Sequence, residues 1–260
     1  MIGRFLSRMM GRQIPAAIPD SLWQDVVSQL PFIASLPADD LARLREMTQA
    51  FLAAKEFSSS GGLELDDAMM LAIAVQACLP VLNLGLEWYD DWIGIVVYPD
   101  EFVIPRIVAD ETGVVHEYEE LASGEAWGGG PVLVSWSDVM MAGSGYNVVI
   151  HEFVHKIDMR NGDADGIPPM PAARRESWQA ALHAAYDDFC EELDAADAAG
   201  IDTEIDPYAA EHPGEFFAVL AETFFETPLV VKSRYPDLYD AFSLFFRTDP
   251  LRHHSLHSAN

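Results

Sequence analysis

The sequence predicts an α+β fold, mostly helical, with a small mixed β-sheet beside the helix that carries "HEFVH" at residues 151–155. Two observations lead there. Apolar residues recur at helical spacing towards both ends of the chain, and the stretch from Trp88 to Trp136 between them is rich in β-branched and aromatic residues.

The elements follow in order. "PADDLARLREMTQAFLAAKEF" opens on an Asp-rich start and aligns Leu41, Leu44, Met47, Phe51 and Leu52 on one face. "SSSGG" breaks the chain before a core helix that begins near Leu65 and ends near Pro80. "WIGIVVYP", "FVIP" and "PVLVSW" read as short strands of one sheet. After Asn147 the chain is helical again. A long acidic helix is expected from about Ala173 to Leu193, then one through "GEFFAVLAETFFE", then one around "YPDLYDAFSLFF" that stops at Asp249–Pro250.

No internal repeat or long linker divides the chain. The expected organisation is a basic segment at 1–19, frayed or forming a short amphipathic helix, a single domain at 20–250 and a tail at 251–260. Within the domain, 20–87 reads as helical, and 88–250 holds the sheet and the later helices.

Half of the 260 residues are hydrophobic, enough for a sizeable core, and the net charge is −27. So acidic a balance lacks the basic footprint of direct nucleic-acid binding and suits a soluble protein or one with a basic partner. Cys78 and Cys190 have no CxxC spacing and read as free thiols, which suits a reducing, cytoplasmic setting. The longest apolar run is interrupted by Gln76 and Pro80, so no transmembrane segment is expected.

The chemistry is concentrated in "NVVIHEFVHKIDMRNGD". His151 and His155, four apart, project side by side from one helix face and can grip one metal ion. Glu152 is turned about a quarter circle away, towards a bound water rather than the metal. The flanking Val148, Val149, Phe153, Val154 and Ile157 bury the helix, and two unpaired buried imidazoles would cost a few kcal/mol. An open three-ligand site of nitrogen and oxygen donors points to Zn2+.

The third ligand stays open on the residues alone. His183, His212, Glu215 and Glu222 are all candidates. Glu215 and Glu222 lie seven apart on one face of a phenylalanine-rich helix whose first residue would be Pro213; an arginine such as Arg174 or Arg234 could instead pair with either. "NGDADG" matches the opening of a calcium loop, but Ala172 stands where that loop needs a bidentate glutamate.

"NVVIHEFVHKIDMRNGDADGIPP", "IDPYAAEHPGEFFAVLAETFF", "LPVLNLGLEWYDDWIGIVVYP" and "YPDLYDAFSLFFRTDP" together resemble the Mlc titration factor A family, the glucose-regulated zinc metallopeptidases. The likeness runs from about Trp23 to Pro250. It implies a zincin-like fold related to the protease domain of anthrax lethal factor. It also implies Glu215 as the third zinc ligand, Tyr208 in the catalytic set, aminopeptidase-like action on short peptides, and binding of a transcriptional repressor of the Mlc type.

On that basis zinc sits on His151, His155 and Glu215, with Glu152 as general base and Tyr208 beside the oxyanion. Asp158 could orient a ligand imidazole or hold the following loop, and Glu222 is a similar candidate. "GGGPVLVSW" is the expected edge strand for an extended peptide substrate. The competing reading is a non-catalytic zinc-containing binding protein that sequesters a basic partner, such as a DNA-binding repressor.

Overall fold

The computed structural model describes residues 17–109 and 115–252. The N-terminal part supplies α1 (Asp20–Ser28), α2 (Pro31–Ala34), α3 (Ala38–Ala54), β1 (Glu56–Ser59) and α4 (Asp67–Cys78). The middle supplies β2 (Gly94–Tyr98), β3 (Phe102–Ala109), β4 (Val115–Ala122), β5 (Gly124–Ala126), β6 (Val132–Ser135) and the short α5 (Trp136–Val139). Then follow α6 (Val148–Asp158), α7 (Ala172–Ala199), α8 (Pro213–Glu226), α9 (Pro228–Arg234) and α10 (Pro236–Phe246). The architecture is α+β, mostly helical with a small mixed sheet.

Local chemistry sets the boundaries. Asp66 caps α4 by accepting from Met69 N, and the helix ends two residues before Pro80, which has no N–H to continue it. Asn147 caps α6 through Ile150 N, and Pro213 is the first residue of α8, where its missing N–H costs nothing. Gly200 at φ 67° closes α7, a left-handed turn that glycine adopts without strain. The acidic helix runs six residues beyond the expected Leu193, because its last turns pack only Ala196 into the core and carry little apolar signal.

Four strands form one sheet in the order β1-β2-β6-β5, with β1, β2 and β6 parallel and β5 antiparallel to β6. Three expectations need correction. Glu56–Ser59, read as the end of one helix and the start of the break "SSSGG", is β1 and pairs with β2, so the N-terminal part contributes to the sheet. "FVIP" does not join that sheet. It begins β3, which forms a separate antiparallel hairpin with the glutamate-rich β4. "PVLVSW" is not an edge strand, since β6 is buried and paired on both sides; the end strands are β1 and β5, and the one beside Glu152 is β5, whose three residues are too few to show alternation.

Pleating explains why β6 is apolar throughout. Val132 and Val134 face the main core, together with Ile95 and Val97 of β2. Leu133 faces the other way and packs with Phe102 and Ile104 of the hairpin. The main core continues from Ile18 to Phe246 and encloses α4, α6 and α8, each buried along most of its length. Phe153 anchors α6 among Phe51, Tyr89 and Trp92, with ring centroids 5.3–5.8 Å apart.

The possible amphipathic helix within 1–19 lies outside the described residues except for 17–19, and so does the tail from 253. Among the described residues no helix is long and apolar enough to cross a membrane. Cys78 and Cys190 are free thiols.

Candidate metal centre and cleft

α6 and α8 pack face to face and bring three donor atoms to one point. His151 Nε2 lies 2.9 Å from Glu215 Oε2, His155 Nε2 lies 3.1 Å from the same oxygen, and the two imidazole nitrogens are 3.1 Å apart. Tetrahedral zinc with ligands at about 2.0–2.1 Å would set its donors about 3.3 Å apart, so the triangle is close to the size the ion requires.

The electrostatics point the same way. Burial opposes a charge on His151, yet hydrogen bonds to Glu215 and Glu222 carry its pKa well above the ordinary histidine value. Burial would also raise Glu215, but its bonds to His151 and His155 hold it well below the usual carboxylate range. The donor set therefore draws positive charge inward. His151 Nδ1 faces Glu222 Oε1 at 2.8 Å, so in the neutral, metal-binding form of the ring a proton on Nδ1 donates to that carboxylate and the Nε2 lone pair faces the centre. Two imidazoles and one carboxylate oxygen fit zinc as protein ligands.

Glu152 is buried on the neighbouring face of α6. Burial raises its pKa to about 8, with His151 opposing and Glu215 adding to the shift. Its carboxylate lies against Gly124 of the edge strand, where an added Cβ would come within 2.3 Å of Glu152 Oε1. An alanine there would have to push the Glu152 carboxylate aside. Tyr208 stands in a short 3-10 turn, Pro207–Ala210, with its ring centroid 6.0 Å from that of His151 and 46% of the residue exposed. Burial, with Glu215 and Glu152 nearby, pushes the phenol above its ordinary pKa, so it is a hydrogen-bond donor at neutral pH.

The remaining candidates separate cleanly. Glu222 contacts His151 and also accepts from the backbone N–H of Asn147. Asp158 does not reach a ligand imidazole; its Oδ2 accepts from Gly166 N at 2.7 Å and ties down the loop after α6. Burial lifts its pKa to about 7. His183 is exposed on α7. His212 caps α8 by accepting from Gly214 N at 3.0 Å, and its Nε2 lies 3.4 Å from Glu215 Oε1. Arg234 pairs with Glu192 instead of either α8 candidate.

Several residues escaped the sequence reading. Lys156, buried next to His155, donates to Trp127 O and Gly130 O and so holds the β5–β6 turn to the helix. A lysine inside an otherwise apolar run was a usable signal. Asn147 bridges three elements: Nδ2 donates to Gln76 Oε1 on α4 and to Glu226 Oε1 on α8, each at 2.7 Å, while Oδ1 caps α6. Glu226 was legible as one more carboxylate on the glutamate face of α8, four residues past Glu222.

A cavity of about 230 Å³ opens beside His151 and Glu152, with walls from β4, β5, the loop before α6, Tyr208 and α8. It joins His151 of the donor triangle, a buried carboxylate, a phenol and a strand edge in one cleft.

Residues 7–247 match the model of a family described as glucose-regulated metallo-peptidase M90. The match starts further upstream than the Trp23 expected from the motifs. Among curated relatives, Mlc titration factor A of Salmonella arizonae is 40% identical over 234 residues, covering 89% of this chain and 92% of that protein. The protein of the same name from Enterobacter sp. (strain 638) is 38% identical over 239 residues, covering 90% and 89%. That of Salmonella agona is 39% identical over 231 residues, covering 88% and 86%. With the family model spanning most of its length, this chain belongs to the glucose-regulated metallo-peptidase M90 family.

Proposed function

We propose that the protein is a zinc-dependent peptidase, aminopeptidase-like on short peptides, built as one zincin-like domain over residues 20–250. The observation that carries this is the meeting of His151 Nε2, His155 Nε2 and Glu215 Oε2 within 3.1 Å, beside a buried Glu152 that lies against a strand edge. Zinc held there lowers the pKa of a bound water to about 7 and polarises a carbonyl.

The protein's own groups do the rest. Glu152 takes the proton of the attacking water and returns it to the departing amine. Glu222 fixes the tautomer and the angle of His151. Tyr208 donates from its hydroxyl to the developing oxyanion. The outer edge of β5, an end strand of the described sheet, pairs with an extended peptide backbone, and Lys156 together with Gly124 fixes the distance of that edge from Glu152.

A second role rests on two observations, the name Mlc titration factor A carried by the curated relatives and the net charge of −27. In that role the protein binds a repressor of the Mlc type, with an acidic surface facing a basic partner, in the cytoplasm. A zinc-bearing binding protein without catalysis is the alternative.

One paired experiment separates the readings: turnover of amino-acyl and peptide chromogenic substrates by the native protein and by Glu152→Gln, with zinc determined in both. Activity lost at unchanged zinc content is the expected result. Zinc in both with turnover in neither, across a broad panel, favours the binding protein.

A further inference from the structure

α8 carries one more buried carboxylate, which the proposed reaction leaves unused. Glu226 is the last residue of the helix, where the helix dipole disfavours a negative charge, and burial raises its pKa further. Helix stability does not account for it. Its contacts do. Gly143 N donates to both carboxylate oxygens at 2.9 Å, Gly145 N donates to Oε2 at 2.8 Å, and Asn147 Nδ2 donates to Oε1 at 2.7 Å.

Gly143 at φ 119° and Gly145 at φ 97° hold backbone conformations that other residues adopt only with strain. They turn successive N–H groups towards one point, the concave cradle that loops form around anions. Here the anion is the chain's own side chain. The cradled loop is also a wall of the cleft, because Gly145 and Tyr146 line the cavity beside His151. Leu121, Ala122, Val148 and Val219 supply an apolar part of the wall, and Glu120, Ser123, Glu125 and Asp206 line the rest beside the metal-site residues.

Resting on the peptidase reading, we propose that this cavity receives an apolar side chain of the peptide next to the scissile bond, and that Glu226 is the positioning residue that sets its wall through the Gly143–Gly145 turn. In Glu226→Gln one acceptor oxygen becomes an NH2 group facing a backbone N–H, donor against donor, so the turn is released. The metal ligands are untouched.

The test uses the zinc-loaded protein in a Glu152→Gln background, so that peptides bind without being consumed. Calorimetry compares Ala-Ala-Ala, Phe-Ala-Ala and Ala-Phe-Ala, with and without Glu226→Gln, while hydrogen exchange follows Gly143 and Gly145. Three results are expected in Glu226→Gln: exchange at both glycines at least tenfold faster, binding of one phenylalanine peptide weakened about tenfold, and Ala-Ala-Ala within twofold. Equal weakening of all three peptides would reduce Glu226 to a general stabiliser, and unchanged exchange would remove the clamp. Either result overturns the proposal.

If Glu226→Gln does not fold, Val219→Phe fills the cavity from α8 without touching the clamp. Loss of phenylalanine-peptide binding with Ala-Ala-Ala retained supports the pocket, and no loss overturns it. Failure of the native protein to hydrolyse any peptide would defeat the peptidase reading alone, because the binding ratios and exchange rates are read without turnover.

Discussion

α7 and α8 both carry several carboxylates, and they use them in opposite ways. α7 spans 28 residues, buries only Trp178, Leu182, Ala185, Phe189 and Ala196, and leaves most of its acidic groups in water. α8 is half as long and buries nearly every residue from Gly214 to Glu226. Its glutamates cannot rely on water. Glu215 meets His151 and His155, Glu222 meets His151 and the backbone of Asn147, and Glu226 meets the glycine turn. The charge on α7 serves solubility and long-range electrostatics, whereas each carboxylate on α8 has an assigned partner. A carboxylate on an apolar helix needs a reason, and here there are three.

That contrast can be broken or sharpened by substitution, beginning with the largest expected effect. Glu215→Ala removes one of three donors, so zinc affinity should fall by several orders of magnitude, measured by competition with a chromogenic chelator. Zinc bound as tightly as in the native protein would move the third ligand elsewhere. Gly124→Ala acts on the other buried carboxylate at the site by placing a methyl group where Glu152 lies. Turnover should fall at least a hundredfold with zinc content unchanged; full activity would mean that Glu152 does not need that position.

Glu222→Gln keeps the shape but weakens the bond to His151 Nδ1, and a loss of about 10–100-fold in zinc affinity is the usual scale for such support. No change would make Glu222 a packing residue. At the small end, Asp194→Asn on the exposed side of α7 should shift stability by no more than about 0.5 kcal/mol and leave zinc and turnover unchanged. A large effect there would erase the distinction between the two helices.

The same contrast explains what could be read in advance. The faces of α6 and α8 are local properties of helical spacing, so His151 with His155, and Glu215 with Glu222, fall on shared faces before any fold is known. Asp66, Asn147 and Pro213 mark helix starts by side-chain chemistry within a few residues. Strands were harder. Val115–Ala122 carries four glutamate and histidine side chains in eight residues, and its pairing depends on β3 rather than on its own composition. The four residues of β1 and the three of β5 are too short to announce themselves.

By itself, then, the sequence determined the longer helices, their polar faces and the pair of histidines on α6, because a helix is built from contacts three and four residues apart. The tertiary structure decided everything that depends on which elements meet. From the four candidate third ligands it brings Glu215 Oε2 to both imidazoles, and it passes the sheet edge from Val132–Ser135 to Gly124–Ala126. It assigns Asp158 to a loop and Glu226 to a turn 81 and 83 residues upstream. Such partners lie far apart in the chain, and only the packing of α4, α6 and α8 around Asn147 brings them within hydrogen-bond reach.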